Sequence, residues 1–124
     1  MQIEMLKSKI HGAVVTERRP DYEGSLTIDI ALMEAVGLRT HEKILVANFR
    51  NGARFETYAI AGPRGSRAIC VNGAATVLTE VGDRIIVMSF CVLTTAEADS
   101  HKPRVVRLDE SNCIQVPQAN RDRS

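Results

Sequence analysis

The sequence predicts a mainly β domain, six or so short strands closing into a small barrel with one or two brief helices. Three observations carry this expectation. Short β-branched and apolar runs recur along the whole chain, Gly and Pro punctuate them, and Asn51-Gly52 sits between two such runs as a strong hairpin signal. Closure would remove the exposed edges that so small a strand-rich domain must otherwise protect. A chain of 124 residues without internal repeat or low-complexity segment predicts a single domain over 1–124.

The elements follow in order. Residues 10–16 (IHGAVVT) read as a first strand and 26–29 (LTID) as a second. Asp29 is placed to cap a short helix, IALMEAVG, which Gly37 would end in the left-handed conformation. Residues 43–49 (KILVANF) and 54–60 (RFETYAI) flank Asn51-Gly52, where a two-residue turn would need positive φ at both positions. The stretch 62–67 (GPRGSR) is a loop and 68–71 a strand. Asn72-Gly73 is followed by Ala74-Ala75, so a loop or helical turn fits better there than a hairpin. Val81-Gly82-Asp83 turns into a long strand, 84–93, and Pro103 precedes a last strand, 104–108. From about 111 to 124 the chain reads as a flexible tail.

Composition excludes several function classes. Sixteen basic against fifteen acidic residues give none of the basic excess of a nucleic-acid or membrane-surface protein. The longest apolar run, 85–93 (IIVMSFCVL), is about half of what a bilayer span needs. The N-terminus MQIEMLKSK has no apolar signal core, so a cytoplasmic protein is expected. Cys70, Cys91 and Cys113 are odd in number and far apart, and His11, His41 and His101 do not cluster near a cysteine. No metal site and no disulfide framework is expected, and Cys70 and Cys91 read as buried, inert thiols.

Four short stretches can carry chemistry. Tyr22-Glu23-Gly24-Ser25 (YEGS) serves as a turn on its own composition, or as a site of backbone chemistry. Arg54, Glu56, Tyr58 and Ile60 share one face of a strand, so Arg54 and Tyr58 can converge on a small anion, or Arg54 can pair with Glu56. Lys9 and His11 likewise share a face, as a cationic site or as an exposed strand start. Asn72-Gly73-Ala74-Ala75 lets a ligand approach backbone N–H groups, as would any tight turn.

Together these pieces match a family. The stretches MLKSKIH (5–11), VTERRPDYEGSLTID (15–29), NGARFETYAI (51–60), RGSRAICVNGAA (64–75) and VGDRIIVMSF (81–90) have its order and spacing. The chain resembles the pyruvoyl-dependent aspartate 1-decarboxylases, which make β-alanine for pantothenate synthesis, over roughly residues 1 to 110. The resemblance implies a six-stranded double-psi β-barrel in a cytoplasmic homotetramer, with active sites between neighbouring subunits. It implies self-cleavage between Gly24 and Ser25, giving chains 1–24 and 25–124, with Ser25 converted to the covalent pyruvoyl group that forms a Schiff base with L-aspartate. Neither pyridoxal phosphate nor a metal is then needed. A maturation helper protein is a further partner the family allows.

Residue by residue, the resemblance makes Tyr58 the proton donor and Thr57 the donor to the oxyanion of self-cleavage. Lys9 and Arg54 would hold the substrate's carboxylates, with Arg54 favoured for the side-chain one, and His11 would line the site. Gly73, Ala74 and Ala75 would contact substrate through the backbone, Asn72 would sit beside the pyruvoyl group, and Tyr22 is a weaker candidate. Thr57 and Tyr58 should face opposite sides of their strand, so either the strand bends or each serves a different stage. Ala47 is small where some members are expected to be bulky. The alternative from another class is a non-catalytic β-barrel interaction module that leaves Gly24–Ser25 intact.

Overall fold

A computed structural model describes residues 1–115. The strands are β1 (Gln2–Val14), β2 (Glu17–Arg19), β3 (Ser25–Asp29), β4 (Lys43–Asn48), β5 (Arg54–Gly62), β6 (Ile69–Asn72), β7 (Arg84–Thr94) and β8 (Arg104–Arg107). Two short helices, α1 (Ile30–Val36) and α2 (Thr95–Ala98), and a 3₁₀ turn, Gly73–Leu78, complete the fold. The strands form one ladder in the order β2-β6-β3-β5-β4-β7-β1-β8. β3 lies parallel to β5, β2 to β6 and β1 to β8; the other neighbours are antiparallel. Parallel neighbours cannot be joined by a tight turn. The chain therefore travels from β3 through α1 and β4 before returning as β5.

Alternation sets the faces. Leu26 and Ile28 of β3, Ile44 and Val46 of β4, Ala59 of β5, Ile69 and Val71 of β6, and Ile85 and Val87 of β7 point inward. Ile10 and Ala13 of β1 join them, and Leu32, Met33 and Val36 of α1 cover one end of this core. The opposite face of the sheet carries the polar residues that concern function.

The helix expectation holds at both ends. Asp29 Oδ1 accepts from Ala31 N at 2.8 Å, and Gly37 closes α1 at φ 74°, in the left-handed region. Asp29 also accepts from the backbone N–H groups of Gly65 and Arg67, so it pins the 62–67 loop. Burial alone would push its carboxyl up; the N–H donors of Arg67, Ala31 and Gly65 outweigh that and hold it below the usual carboxylate range.

Several expectations are corrected. There are eight strands among the described residues, not six. β2 has no strand signal in sequence, because its three residues, Glu17–Arg19, are all charged, and in the fold all three are exposed. The first strand begins eight residues before the expected start at 10, since β1 begins at Gln2, and its outer end is polar. The ladder is not closed: β2 and β8 are its edges. Where β1 leads into β2, Val15 N donates to Asp83 O, Gly82 N to Val15 O and Thr16 N to Ile69 O, tying the end of β1 to the turn before β7 and to β6. The hairpin at Asn51-Gly52 exists, but its loop spans 49–52. Gly52 N donates to Asn48 O, and Gly52, not Asn51, takes positive φ. Helix α2 was not placed, although Thr94 and Glu97 form a capping box legible as T-x-x-E. The expected tail does not begin at 111. Asn112 is buried and its side chain bonds Val14 and Arg67, while residues 116–124 lie outside the described part.

The 3₁₀ turn is held at its far end by a polar cluster. Asn48 Nδ2 and Asn51 Nδ2 both donate to Leu78 O at 3.0 Å. Asp83, only 6% exposed, accepts from Arg50 Nε at 2.7 Å, from Asn48 Nδ2 at 2.8 Å and from Glu80 N at 2.8 Å. The Arg50 guanidinium first, then the Asn48 and Glu80 donors, outweigh burial and lower the Asp83 carboxyl to about 2. A depressed carboxyl stabilises the fold above its unfolded value, near 4, and that contribution is lost as pH falls toward 2. Urea unfolding of the parent should therefore lose about 2 kcal/mol from this group between pH 4 and 2. Asp83→Asn should start lower at pH 7 and lose correspondingly less over the same interval.

Candidate active site

Ser25 is the first residue of β3, and the antiparallel β3–β6 register sets it directly opposite Asn72. Both are 3% exposed. Asn72 Nδ2 donates to Ser25 Oγ at 2.9 Å and to Thr27 Oγ1 at 3.0 Å. Ser25 Oγ in turn donates to Glu23 O at 3.4 Å, a long contact. The peptide joining Gly24 to Ser25 is continuous, so this is the geometry of an uncut chain.

Gly73 explains why the 22–24 segment can lie here. It has φ 78°, and a Cβ on it would come within 2.7 Å of Gly24 N and Cα and 3.0 Å of Tyr22 O. The chain before Ser25 is thus laid directly on the start of the 3₁₀ turn. By contrast, a Cβ on Gly24 would meet nothing within 4 Å. The steric need for glycine falls on position 73, for which the family resemblance implies only a substrate contact.

Two grooves flank the Gly24–Ser25 peptide. One, of about 410 Å³, is lined by Tyr22, Glu23, Ser25, Thr27, Tyr58, Ile60 and Asn72. The other, of about 280 Å³, is lined by Gly24, Phe55, Thr57, Asn72, Ala74, Ala75 and neighbouring residues. Thr57 and Tyr58 therefore do face opposite sides of β5, and each opens on a different side of the same peptide bond. The strand need not bend to bring both to it. Tyr58 is further flanked by His41, whose ring centroid lies 6.2 Å away and whose N–H donates to Ala59 O at 2.7 Å.

The cations are arranged differently. Lys9 and His11 stand on β1, which is separated from β3 by β5, β4 and β7. Four strand spacings make roughly 19 Å along the sheet. Across the outer face the register runs His11, Ile86, Ala47, Arg54, and in parallel Lys9, Met88, Leu45, Glu56. One chain therefore gathers Ser25, Tyr58, Thr57, Asn72, Gly73, Ala74 and Ala75 around one peptide, with Arg54 two residues beyond Glu56 on β5. Lys9 and His11 lie at the far side of the same face.

Glu56 pairs with Lys43 at 3.0 Å, not with Arg54. Among the described residues neither Lys9 nor Arg54 has a carboxylate partner. Burial first, then the charges of Arg107, Lys9 and Arg84, lower the His11 imidazole, so it is neutral at neutral pH. Its ring packs edge-on against Phe49, and its Nδ1 is buried with no partner among the described residues. No cluster of three or more His, Cys, Asp or Glu suited to a metal ion occurs among them.

Sequence reasoning missed Thr27, Ile60, Phe55 and His41 as neighbours of the grooves. Thr27 and Ile60 were legible in principle, being in phase with Ser25 and Tyr58 on their strands. His41 was not, because its place depends on a positive φ of 73° in the turn before β4.

Glycine is needed unequally at positions 73 and 24. Gly73→Ala should destabilise the uncut chain by about 1–3 kcal/mol, whereas Gly24→Ala should fall within about 1 kcal/mol of the parent. Urea unfolding of both in a Ser25→Ala background, which prevents cleavage from confusing the comparison, measures this.

Comparison with known proteins now adds to the geometry. A family model described as aspartate decarboxylase matches residues 1–115. The aspartate 1-decarboxylase of Caldicellulosiruptor saccharolyticus is 54% identical over 114 residues, covering 92% of this chain and 89% of that one. That of Thermoanaerobacter pseudethanolicus is 52% identical over 112 residues, 90% of this chain and 96% of its own. That of Maricaulis maris is 51% identical over 120 residues, 96% of this chain and 99% of its own. With a family model spanning nearly all the described residues and relatives of matching length at about half identity, the chain belongs to the aspartate decarboxylase family.

Proposed function

We propose that this chain is a pyruvoyl-dependent aspartate 1-decarboxylase, converting L-aspartate to β-alanine and CO₂ after cutting itself between Gly24 and Ser25. The observation that carries the reading is the peptide of Gly24–Ser25, flanked by one groove bearing Thr57 and another bearing Tyr58. An interaction module would have no use for that arrangement, and the relatives' names favour the enzyme.

In self-cleavage, Ser25 Oγ attacks the Gly24 carbonyl carbon and the acyl group moves from nitrogen to oxygen. Asn72 Nδ2, already donating to Ser25 Oγ, favours loss of the hydroxyl proton. Thr57, which shares a groove with Gly24, is the donor to the carbonyl oxygen as it becomes an oxyanion. The hydroxyl proton ends on the freed Ser25 amine, and elimination across Cα–Cβ of Ser25 expels the Gly24 carboxylate. One water then replaces the nitrogen, released as ammonia, to leave the new group at position 25, with chains 1–24 and 25–124. The residues around Ser25 suit such a group. They form a groove with an amide donor, Asn72, against Ser25 Oγ, a phenol, Tyr58, and one carboxylate, Glu23, on its lining.

The pyruvoyl group supplies an electron-accepting carbonyl to the substrate's amine. The rest falls to the chain. Tyr58 delivers a proton to the carbon that loses CO₂, on the groove side it shares with Ser25. Gly73, Ala74 and Ala75 present backbone groups to substrate. Arg54 holds the side-chain carboxylate, because a cation gripping the departing carboxylate would oppose its conversion to neutral CO₂.

Lys9 and His11 enter the site from a neighbouring copy. One feature supports this, the strand order that sets three strands between them and Ser25 of their own chain. The outer face between them and Arg54 is apolar, with Leu45, Ala47, Ile86 and Met88 half-buried and Phe90 and Val92 exposed. A cytoplasmic homotetramer is the assembly we assign. No described helix is long and apolar enough to cross a membrane. A helper protein would act on the cleavage step alone.

β-Alanine release from L-aspartate tests the activity. Tyr58→Phe should cleave normally yet form β-alanine about a hundredfold more slowly. Lys9→Ala and Arg54→Ala should each be inactive alone. Unfolded together and co-refolded, they should regain up to about a quarter of parental activity, because some mixed interfaces carry both intact residues. Absence of any recovery would remove the shared site.

A further inference from the structure

Cys70 stands on β6 two residues before Asn72, so both side chains lie on the same face of that strand. It is only 5% exposed, and its Sγ donates to Asn72 Oδ1 at 3.3 Å. Burial first, and then the neighbouring Glu17 carboxylate, push the thiol up, so it keeps its proton at neutral pH and has an S–H to give. The Glu17 carboxylate, opposite Cys70 in the β2–β6 register, is a second acceptor near the thiol and is held by Arg19 through both oxygens, while Asn72 Oδ1 lies 3.3 Å from Sγ.

An amide whose oxygen is held on one side must present its NH₂ on the other. That NH₂ reaches both Ser25 Oγ and Thr27 Oγ1. The Thr27 hydroxyl could as well donate to a carbonyl, and Ser25 Oγ gives its proton to Glu23 O only over a long 3.4 Å, so these contacts hold the amide only weakly to one of its two orientations. The orientations differ chemically. An N–H at Ser25 Oγ stabilises the negative charge that grows there as the proton leaves; an amide oxygen opposes that charge and is too weak a base to take the proton.

We infer that Cys70 is a positioning residue for self-cleavage, its S–H fixing the Asn72 amide so that the N–H faces Ser25 Oγ. The inference rests on the reading of Ser25 as the attacking residue. It gives the thiol, otherwise an inert core filler, a directional task that neither packing nor volume can replace.

Four variants, followed by intact mass from the freshly refolded uncut chain, separate the possibilities. Cys70→Ser keeps a donor and should cleave within about threefold of the parent. Cys70→Ala and the volume-keeping Cys70→Val lack one, and both should cleave about tenfold more slowly. If packing were the role of this residue, the order would invert, with Cys70→Val close to the parent and the buried hydroxyl of Cys70→Ser slow. That inversion, or equal rates for all, overturns the inference. Ser25→Ala is the control on the underlying reading: if it cleaves, or the parent does not, that reading fails and the inference falls with it.

Discussion

The pairing of Ser25 with Asn72 across β3 and β6 is the constraint on which the site depends. It sets a serine at the first position of a strand, opposite a fully buried amide, with the preceding residues laid over Gly73. Gly73 must be glycine twice over, for its positive φ and for the close approach of Gly24. Everything else about the grooves follows from that register. Shift β3 by one residue and Leu26 would face Asn72 while Ser25 turned inward to the core.

The same alternation divides labour along β5. Ala59 points into the core, Thr57 toward the groove containing Gly24, and Tyr58 to the groove containing Ser25. A single rigid strand thus serves both sides of one peptide bond. Rigid elements hold chemistry more tightly than loops do, and the parallel β3–β5 ladder fixes their relative height. Reach is set by strand order: β7, β4 and β5 stand between β1, which carries Lys9 and His11, and β3, which carries Ser25. In the function proposed above, a second copy completes the set.

Much of this was legible from particular residues. Asp29 and Gly37 bracket α1 as their side chain and conformational freedom require, and the two β4–β5 arms flank Asn51-Gly52 as expected. The helical turn after Asn72 was also readable, because Gly73-Ala74-Ala75 has no strand character. What was not legible depends on distant chain segments. β2 is three charged residues that become a strand only because β6 offers an edge, and no local pattern marks that. Asn112, read as tail, is buried because its amide finds Val14 and Arg67. The positions of the site residues along the strands could be counted, but not the strand order that separates Lys9 from Ser25. Cys70 was read as an inert thiol, which burial supports, while its bond to Asn72 needed the fold.

If the geometry around Ser25 is enough, the Gly24–Ser25 bond breaks unaided. Intact mass of the purified parent chain, after warming without any added protein, shows whether it does. Two species are expected, one ending at Gly24 and one beginning at position 25 and lighter by one ammonia than a serine start would give. A single full-length species that persists would refute self-cleavage.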